Sequence, residues 1–391
     1  MSTEASKTVA PKTSAPVKVH AKLIALRDQM IAAFKERGHI VDGVLSACLA
    51  GEHVVLIGLP GTAKSALARA LCAGIKDSRY FEWLLTRFTE PNELFGPIDL
   101  HSWSQGGTYT RRMAGMAPDA HFVFFDEIYK ANSSILNANL SLISERVFHD
   151  AGKVIKVPLR MCLGASNELP TESELEALHD RFMLRFLVDY VQEPASFAAI
   201  ITGADPVITP TLTLAEMDQA VAEAAALPLD PDLVDAMFTL RQTLQQEGIV
   251  ASDRRWKKLL KVMRGYAYLL GDVSVGTLHL EILVDGLWRD ARERTKLVGV
   301  LAKVASPGLA EANEVFDAIM EQVTSLPATG SIKAQGPTVA AEMKKASKRL
   351  VELQAAATTP GIGARIGKLV DEVRNRQKDI TQRVMAEMNL D

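Results

Sequence analysis

Cysteine is scarce in this sequence. The 391 residues include three cysteines, Cys48, Cys72 and Cys162, which lie far apart along the chain. Their odd number does not fit a disulfide framework, and no group of cysteines and histidines has the spacing of a zinc site. The sequence therefore excludes a disulfide-stabilised secreted domain and a zinc module, and it favours a reducing compartment.

Long apolar runs and a strong charge imbalance are also absent. No apolar run approaches the length of a membrane span, and the segment up to Val19, rich in Ser, Thr, Ala, Pro and Lys, has no signal-peptide core. The formal net charge of -3 gives no overall attraction to nucleic acid or anionic membranes, although local basic patches are compatible with it. We predict a disordered tail over residues 1–20 and a cytoplasmic protein that does not insert into membranes.

A Gly-rich turn follows the first apolar run of strand length. The run His53–Ile57 leads into GLPGTAKS at residues 58–65, a variant of G-x-x-x-x-G-K-[ST] with Ala63 in place of Gly. The backbone N–H groups of such a loop, and the positive end of the helix that it opens, attract polyphosphate. Lys64 is expected to reach the β- and γ-phosphates and Ser65 to ligate Mg²⁺. Ala63 is expected to enter the helix, where alanine is well tolerated.

An acidic pair follows a later apolar run. Phe122–Phe125 precedes Asp126 and Glu127, so both carboxylates are expected at the carboxyl edge of a parallel sheet, where such sheets bind ligands. Asp126 can hold Mg²⁺ and Glu127 can polarise an attacking water. A simple Gly/Pro turn is the alternative for the loop alone, but the two motifs together predict ATP binding and hydrolysis with Mg²⁺. The expected nucleotide-binding residues are Gly58, Pro60, Gly61, Thr62, Ala63, Lys64, Ser65, Ala66 and Asp126, with Ser65 and Asp126 as metal ligands.

Apolar runs alternate with helical patterns through the first half of the chain. This alternation predicts an α/β fold with a parallel sheet. Beyond Pro194 the strand pattern stops, and residues 214–301 are mainly helical in pattern. The predicted strands are His53–Ile57, Tyr80–Phe88, His121–Phe125, Met161–Ser166 and Arg185–Tyr190.

Two segments interrupt this alternation. Glycines within residues 97–118 indicate an inserted loop or hairpin, and residues 147–157 alternate around Asp150-Ala-Gly152 as a hairpin does. The first segment combines aromatic and basic residues and is suited to holding a polypeptide; a solvated loop with local aromatic packing is the alternative. Its aromatic and basic residues are Trp103, Tyr109, Arg111 and Arg112.

The C-terminal residues repeat apolar side chains at alternating spacings of four and three. Residues 339–357 and 366–384 both have this pattern, and Thr358-Thr-Pro-Gly361 separates them. The pattern predicts an antiparallel pair of helices. With a helix over about 309–323 they would form a three-helix unit, and packing within the chain is favoured over an intermolecular coiled coil.

Several segments resemble, in the correct order, those of the MoxR-type AAA+ ATPases, and the RavA branch of that group is the most similar. The resemblance covers roughly residues 21–305 and implies an AAA+ α/β nucleotide-binding domain over residues 21–193 and an all-α lid over 194–305. The repeated apolar spacing predicts a C-terminal helical domain over 306–391. The connection between the C-terminal helices is too short for the small β-containing module of RavA-like proteins, so no partner of that module is implied. The matching segments are GLPGTAKS, LLTRFTEPNELFG, FFDEIYKAN, SERVF, GASNELP, EALHDRFMLRF, SDRRWKKLLK and VSVGTLHLEILVDGLW.

The resemblance also implies roles for residues that no spacing identifies. Asn167 corresponds to sensor 1, an amide that helps Glu127 to position the lytic water. Arg181 corresponds to the arginine finger, which reaches the γ-phosphate of the neighbouring subunit and stabilises transition-state charge. Arg254 corresponds to sensor 2, which contacts the γ-phosphate within its own subunit.

Other residues compete for these roles or have weaker assignments. Arg185 is a second candidate for the finger, and Arg255 is a second candidate for sensor 2. Thr86 matches a polar position that restrains the catalytic glutamate, although a β-branched residue also suits a strand. His39 and Ile40 lie where the family packs adenine, and an ordinary core histidine explains the former equally well.

Three functions are consistent with the sequence. The family resemblance favours an ATP-driven chaperone or remodeller that forms a ring, expected to be a hexamer, and acts on a protein substrate with a von Willebrand factor A (VWA) partner. A nucleic-acid-dependent AAA+ motor is the alternative, but the chain is acidic and has no helix-turn-helix, zinc or OB-like signature. A scaffold without turnover would lack a catalytic group, whereas every expected group is present.

Overall fold

The computed structural model describes residues 16–101, 104, 110–170, 173–203, 207–305, 307–327, 331–333, 335–357 and 360–388. These residues divide into two compact units. The α/β unit contains the described residues up to Leu229 together with Ala251–Val275 and Asp285–Ala291. The helical unit contains Asp230–Val250, Gly276–Val284 and the described residues from Arg292 onward.

A five-stranded parallel sheet forms the centre of the α/β unit. Its strand order is β3-β4-β7-β1-β8, and the inner strands β7 and β1 are buried along their whole lengths. A sheet covered on both faces requires continuous apolar strands, as in the runs read from the sequence. The strands are β1 (His53–Ile57), β2 (Ile75–Lys76), β3 (Tyr80–Leu84), β4 (Phe122–Asp126), β5 (Val147–Asp150), β6 (Lys153–Lys156), β7 (Met161–Ser166), β8 (Phe182–Leu187) and β9 (Leu212–Thr213).

Helices make up most of the remaining described structure. None of the described helices is both long enough and apolar enough to span a membrane. The helices are α1 (Pro16–Ala33), α2 (Gly38–Ala50), α3 (Lys64–Ala73), α4 (Pro91–Phe95), α5 (Ser133–Glu145), α6 (Ser173–His179), α7 (Pro194–Thr202), α8 (Leu214–Ala226), α9 (Leu233–Gln246), α10 (Asp253–Leu270), α11 (Val284–Leu287), α12 (Ala291–Ala305), α13 (Pro307–Thr324), α14 (Gly336–Ala355) and α15 (Pro360–Met388).

Three of the predicted boundaries are wrong. The tail was expected to reach residue 20, but α1 begins at Pro16 because Val19, Leu23 and Leu26 form a buried stripe at helical spacing. β3 ends at Leu84 instead of continuing to Phe88, since the Thr89 hydroxyl accepts the Thr86 N–H at 2.8 Å and closes a turn. The short strand β9, which pairs in parallel with β2, lies beyond Pro194, after which no strand is predicted.

The last strand of the sheet also begins earlier than predicted. The sequence suggested Arg185–Tyr190, whereas β8 spans Phe182–Leu187 and pairs with β1 along its length. The apolar residues that precede Arg185 are fully buried, and this burial draws them into the sheet. One more main-chain bond, from Val188 N to Ile57 O at 2.7 Å, continues the pairing before the chain leaves the sheet.

Both predicted insertions have paired, antiparallel bases. β5 and β6 pair across a turn in which Ala151 and Gly152 have positive φ angles of 47° and 76°, as a tight hairpin requires. In the first insertion Ile98 pairs with Arg111 in antiparallel fashion, and its aromatic residues Trp103 and Tyr109 lie outside the described residues. The bases of the two insertions are therefore well defined.

The helical unit contains the predicted three-helix arrangement at its C-terminal end. α14 and α15 are antiparallel, since Gln377 Nε2 donates to Ala340 O at 3.2 Å and Gly336 lies against Val384. The heptad side chains form one apolar core with α13, which agrees with packing within the chain. The buried members of the two repeats are Val339, Met343, Leu350, Leu353, Ile366, Val370, Val373, Ile380 and Val384.

The predicted domain bounds differ from the two compact units. The lid was placed over residues 194–305, whereas α10, which lies within that range, belongs with the α/β unit. In that unit α10 packs against α2 and α8. The predicted lid range remains a prediction, and α10 is described below as part of the α/β unit.

Candidate functional site

The loop between β1 and α3 is confined by its backbone. A Cβ at Gly58 would lie 2.0 Å from the carbonyl oxygen of Val188, so only glycine fits where the loop passes the last sheet strand. Gly61 has a φ of 79°, in the left-handed region. The Thr62 hydroxyl donates to Leu59 O at 2.9 Å and holds the turn. These contacts and backbone angles fix the path of the loop.

The sequence predicts that Ala63 enters α3, and this prediction is wrong. It immediately precedes α3 and has a φ of 65°, which is left-handed. Steric contact between a Cβ and the following carbonyl makes this conformation unfavourable by about 1–2 kcal/mol for an L-residue. Alanine is consequently a strained substitute for the glycine of the motif, and helix propensity does not explain why it is tolerated.

Three residues from distant parts of the sequence form a hydrogen-bonded chain at the carboxyl edge of the sheet. The Lys64 ammonium donates to Asn167 Oδ1 at 3.2 Å, and Asn167 Nδ2 donates to Glu127 Oε1 at 2.5 Å. The strands that carry or precede these residues, β1, β4 and β7, are neighbours in the sheet. The amide thus presents its oxygen to a cation and its nitrogen to a carboxylate.

Glu127 is held in an unusual position. Its φ of 51° is left-handed, which is uncommon for a residue with a long side chain and is often found at functional sites. Oε1 also lies 3.2 Å from Lys130 Nζ, whereas Oε2 is buried and has no hydrogen-bond partner in the described part of the chain. One carboxylate oxygen is therefore fixed, and the other is left as an acceptor.

Burial and the neighbouring carboxylates act in opposite directions on the pKa of Lys64. Burial is the larger effect and lowers this pKa, whereas the carboxylates of Asp126 and Glu127 raise it. The Lys64 ammonium also donates to Gly58 O at 2.6 Å and to Leu59 O at 3.0 Å. A cation that lies within the loop and faces two carboxylates is the arrangement that a polyphosphate with a divalent cation requires.

The donors expected to hold Mg²⁺ are suitable in kind. Asp126 ends β4, and one of its carboxylate oxygens accepts the Glu127 N–H at 3.0 Å, which orients the group. Ser65 lies at the second position of α3, where its hydroxyl accepts a hydrogen bond from Arg69 at 3.0 Å. A carboxylate and a hydroxyl are hard oxygen ligands, as Mg²⁺ prefers, so these residues fit the predicted ion.

A cavity of about 540 Å³ adjoins the loop. Its walls are mostly apolar, and the adenine-packing residues predicted from the sequence are not among those that line it. Ile40 is 1% exposed, within the core, and His39 is exposed beside the ring of Phe186. The lining includes Phe34, Thr62, Ala66, Tyr190, Phe197 and Ile200.

Two chain segments that border the cavity are joined to each other. The Glu36 carboxylate accepts the main-chain N–H groups of Gln192 at 2.8 Å and Glu193 at 3.0 Å, and these bonds lower its pKa. Tyr190 donates its hydroxyl hydrogen to Pro60 O at 3.0 Å. The apolar run in α7 was the available sequence signal for this wall, but it follows the last strand and belongs to no nucleotide-binding motif.

Burial separates the two finger candidates. Arg185 is 2% exposed, and its guanidinium donates to the carbonyl oxygens of Trp288 and His179. Desolvation, the leading cause, lowers its pKa to about 9. The Arg181 side chain is 26% exposed and lies 3.8 Å from Asp180. Arg181 is therefore partly accessible, whereas Arg185 is part of the interior.

The two sensor-2 candidates differ in the same way. Arg255 is 5% exposed and donates to several carbonyl oxygens of the α/β unit, including Gly286 O at 2.7 Å. Arg254 is exposed on the first turn of α10 and makes no hydrogen bond or ion pair within the described residues. Arg254 is therefore the arginine that can contact a ligand.

Other candidate residues are engaged in local structure. The Thr86 hydroxyl lies 3.2 Å from the Thr89 hydroxyl, and its described contacts do not include Glu127, which Asn167 restrains instead. Arg111 donates to Asn92 Oδ1 at 2.6 Å and Gly96 O at 2.7 Å, and Arg112 pairs with Asp99. The two arginines of the first insertion therefore stabilise its base rather than standing free.

Comparison with known proteins identifies relatives for most of the chain. Residues 21–216 match the model of the MoxR domain in the MoxR–vWA–beta-propeller ternary systems, and residues 232–301 match an AAA lid domain. Two uncharacterized proteins of Methanocaldococcus jannaschii are 37% and 39% identical to this chain. The first alignment covers 77% of this chain and 81% of the relative, and the second covers 69% and 70%.

More distant similarity extends to a virus and to a solved structure. A structural protein of Acidianus two-tailed virus is 28% identical over 45% of this chain and 31% of its own length. A crystal structure of a candidate ATPase from Cytophaga hutchinsonii has a TM-score of 0.62 at 17% identity, covering 74% of this chain and 96% of that protein, which shows the fold alone. The fold of the α/β unit, its phosphate loop and the two family matches all indicate the same family. The chain belongs to the MoxR family of AAA+ proteins, in the group of the MoxR–vWA–beta-propeller ternary systems.

Proposed function

We propose that this chain is a Mg²⁺-dependent ATP hydrolase whose active site is completed by an arginine of a second copy. The observation that carries the proposal is the hydrogen-bonded chain from Lys64 through Asn167 to Glu127. It connects a phosphate-contacting cation to a carboxylate that has one oxygen fixed and one oxygen unpartnered. This arrangement supports positioning of a water molecule next to a bound γ-phosphate.

Each group then has a distinct task. Glu127 Oε2 accepts a proton from the attacking water, while Asn167 keeps the carboxylate from rotating. Lys64 contacts the phosphates, and the N–H groups of the loop and of the first turn of α3 add further donors. Bound Mg²⁺, held by Ser65 and Asp126, would neutralise phosphate charge.

The apolar cavity beside the loop is proposed to hold the adenine base. Phe34, Phe197 and Ile200 line it, and Thr62 and Ala66 connect it to the phosphate site. A flat heterocycle is stabilised by apolar contact on its faces. In this proposal neither His39 nor Ile40 contacts the base, because neither residue lines the cavity.

The biological role is proposed from the family. The family model belongs to ternary systems that combine a MoxR protein with vWA and beta-propeller proteins, which supports a VWA-domain partner. We propose a ring, expected to be a hexamer, that remodels a protein substrate as a molecular chaperone in the cytoplasm. The similarity to the RavA branch rests on the matching segments of the sequence.

Two variants separate binding from turnover. Glu127→Gln should bind ATP with near-normal affinity and lose steady-state hydrolysis by about a hundredfold or more, because it removes the proton acceptor. Lys64→Ala should weaken ATP binding by about tenfold or more, because a charge-assisted contact is lost. Lys76→Ala, an exposed lysine on β2, is the control and should change neither property.

Equilibrium binding of a fluorescent ATP analogue and a phosphate-release assay measure the two properties. Normal turnover in Glu127→Gln would contradict the assignment of the catalytic residue. The same assay with single-stranded DNA addresses the alternative of a nucleic-acid-dependent motor. Strong stimulation by DNA would favour that alternative over the protein remodeller.

A further inference from the structure

Three successive residues, of which the first ends α6, lie beside the proposed site, and two of them contact other elements. The first, His179, is hydrogen-bonded through Nδ1 to the Tyr129 hydroxyl at 2.6 Å, and Tyr129 lies two residues beyond Glu127. The second, Asp180, accepts a hydrogen bond from Arg255 Nη1 at 3.1 Å. The third is Arg181, the proposed finger. The turn therefore touches the catalytic strand end and α10 while presenting an arginine outward.

Arg255 holds the start of α10 rigidly against this turn. Its guanidinium donates to Phe182 O at 3.2 Å and Met183 O at 3.0 Å, at the start of β8, and also to Asp180 O at 3.2 Å. The planar, multiply bonded guanidinium has little freedom to rotate. Arg254, the proposed contact to a subunit's own nucleotide, is the preceding residue on the same helix turn.

Asp180 is the carboxylate that these arginines share. Its oxygens lie 3.1 Å from Arg255, 3.8 Å from Arg181 and 4.0 Å from Arg185. A carboxylate between several guanidiniums reduces their mutual repulsion and favours a particular orientation of each. Removing its charge would leave Arg181 without this constraint.

The fold of the turn does not require the Asp180 side chain. The main chain is satisfied without it, because Asp180 N donates to Glu176 O and Arg181 N donates to Leu178 O, both at 2.9 Å. The carboxylate side chain is 49% exposed, whereas Arg255 would keep its bonds to main-chain carbonyls if the carboxylate were absent. A purely structural role predicts little cost for its removal.

We propose that Asp180 is a positioning residue for Arg181. Asp180 contacts Arg255, which lies next to Arg254 on α10. It thereby connects the finger that a subunit directs to its neighbour with the helix that carries the same subunit's own nucleotide contact, so that the two move together. The inference rests on the proposed function, since it requires Arg181 to act on a second copy. It adds that ATP hydrolysis at one subunit's site depends on the geometry of this turn in the adjacent subunit.

Mixtures of two inactive variants allow Asp180 to be substituted on one side of a subunit interface at a time. Arg181→Ala subunits have an intact phosphate loop and no finger, and Lys64→Ala subunits have an intact finger and a defective loop. Mixing them should restore some hydrolysis at interfaces that pair the two intact parts. Adding Asp180→Asn to the Lys64→Ala subunit should reduce the restored rate by about tenfold to a hundredfold, because the finger is misplaced.

The position of the added substitution distinguishes positioning from general damage. Asp180→Asn placed in the Arg181→Ala subunit should leave the restored rate as it was, since that subunit has no finger to position. Asp218→Asn, which removes a surface partner of Arg160, is the acidic control in the Lys64→Ala subunit and should have no effect. Nucleotide affinity and oligomer mass of the Asp180→Asn single variant should match those of the unmodified protein.

The outcomes separate the two claims. Equal losses with Asp180→Asn on either side, or no loss on either side, would overturn the positioning role while leaving the finger assignment intact. Absence of restored activity in the starting mixture would overturn the finger assignment and the inference with it. If Asp180→Asn fails to fold, Arg255→Lys in the Lys64→Ala subunit replaces it, and a full restored rate with that variant would overturn the role.

Discussion

At the residue scale, two left-handed positions shape the proposed active site. Ala63 and Glu127 have φ angles of 65° and 51°, and both lie at the carboxyl edge of the sheet. Non-glycine residues in this region are held there by their surroundings at a cost in free energy. Two of the strained positions therefore lie where the loop and the proposed catalytic carboxylate are positioned.

Ala63→Gly should relieve part of this strain. Glycine has no Cβ penalty in the left-handed region, but it makes the unfolded chain more flexible, so the expected net gain in unfolding free energy is about 1 kcal/mol or less. ATP hydrolysis should be retained. Ala222→Gly, at an exposed position in the middle of α8, is the matched control and should destabilise the protein by about 1 kcal/mol. A clear loss of stability in Ala63→Gly, measured by denaturant unfolding, would contradict the strain.

Buried histidines predict how stability depends on pH. Burial lowers the pKa of His53 to about 3 and that of His179 to about 2, against about 6.5 in an unfolded chain. Below pH ~6.5 the unfolded chain binds protons that the folded form does not, so stability is complete above that pH and falls toward pH 3. The slope should approach about 1.4 kcal/mol per pH unit for each histidine.

The contribution of His53 can be removed directly. His53→Gln should lower stability at neutral pH, because His53 accepts the Cys162 N–H at 2.9 Å, but it should make stability less dependent on pH between about 6 and 4. His149→Gln, on an exposed face of β5, should leave the slope unchanged. Thermal unfolding across this pH range measures both, and an unchanged slope in His53→Gln would be inconsistent with a neutral buried histidine.

The sequence identifies some site residues better than others for physical reasons. The phosphate loop and the acidic pair are local patterns, so Lys64 and Glu127 are recognisable without a structure. Arg181 and Arg185 cannot be separated in this way, because only burial, which depends on tertiary packing, shows that the second is 2% exposed. The residues that line the apolar cavity outside the phosphate loop and α3, such as Phe34 and Phe197, belong to no nucleotide-binding motif.

At the element scale, the two insertions contact each other at their bases. The Arg111 N–H donates to the buried Asp150 carboxylate at 3.0 Å, and the rings of Phe95 and Phe148 stack with centroids 5.0 Å apart. The first contact connects the base of the first insertion to the β5–β6 hairpin, and the second connects the end of α4 to the same hairpin. A force on one insertion would therefore be transmitted to the other.

Asp150→Ala should uncouple the insertions. It leaves the Arg111 N–H without its partner, at a cost of about 1–3 kcal/mol for a buried group. Hydrogen exchange at the Arg111 amide should become faster in Asp150→Ala and stay the same in His149→Ala, which changes the exposed neighbour on the same strand. Equal protection in the two variants would show that the carboxylate does not hold the insertion.

The C-terminal helices offer a comparison between adjacent residues. Leu350 is 0% exposed and Val351 is 37% exposed, so Leu350→Ala should destabilise the bundle by about 2–5 kcal/mol and Val351→Ala by about 0.5 kcal/mol or less. Hydrogen exchange of α14 and α15 in the full chain reports the local stability. Similar exchange in both variants would contradict the heptad core.

The sequence predicts the position of an element where an apolar pattern repeats over several turns. It does not predict a boundary that is set by a single side chain. The heptads of α14 and α15 repeat over several turns, so their register is recognisable. The end of β3 depends on one hydrogen bond from Thr86 N to the Thr89 hydroxyl, which no periodicity records. The start of α1 was missed because a segment rich in Pro and Lys conceals the buried stripe of Val19 and Leu23.

At the scale of the whole molecule, the proposed site is incomplete within one chain. The phosphate loop, Asn167 and Glu127 are assembled in one α/β unit. The partly exposed Arg181 is proposed to serve a second copy, while the buried Arg185 cannot. Hydrolysis should therefore require association, and nucleotide binding should not.

The dependence of specific ATPase activity on protein concentration, measured together with oligomer mass by light scattering, tests this account most directly. We expect activity per subunit to rise with concentration and to reach a plateau as the oligomer forms, because only association brings Arg181 to a neighbouring γ-phosphate. Glu127→Gln should form the same oligomer without turnover. A monomer with full specific activity would contradict the composite active site.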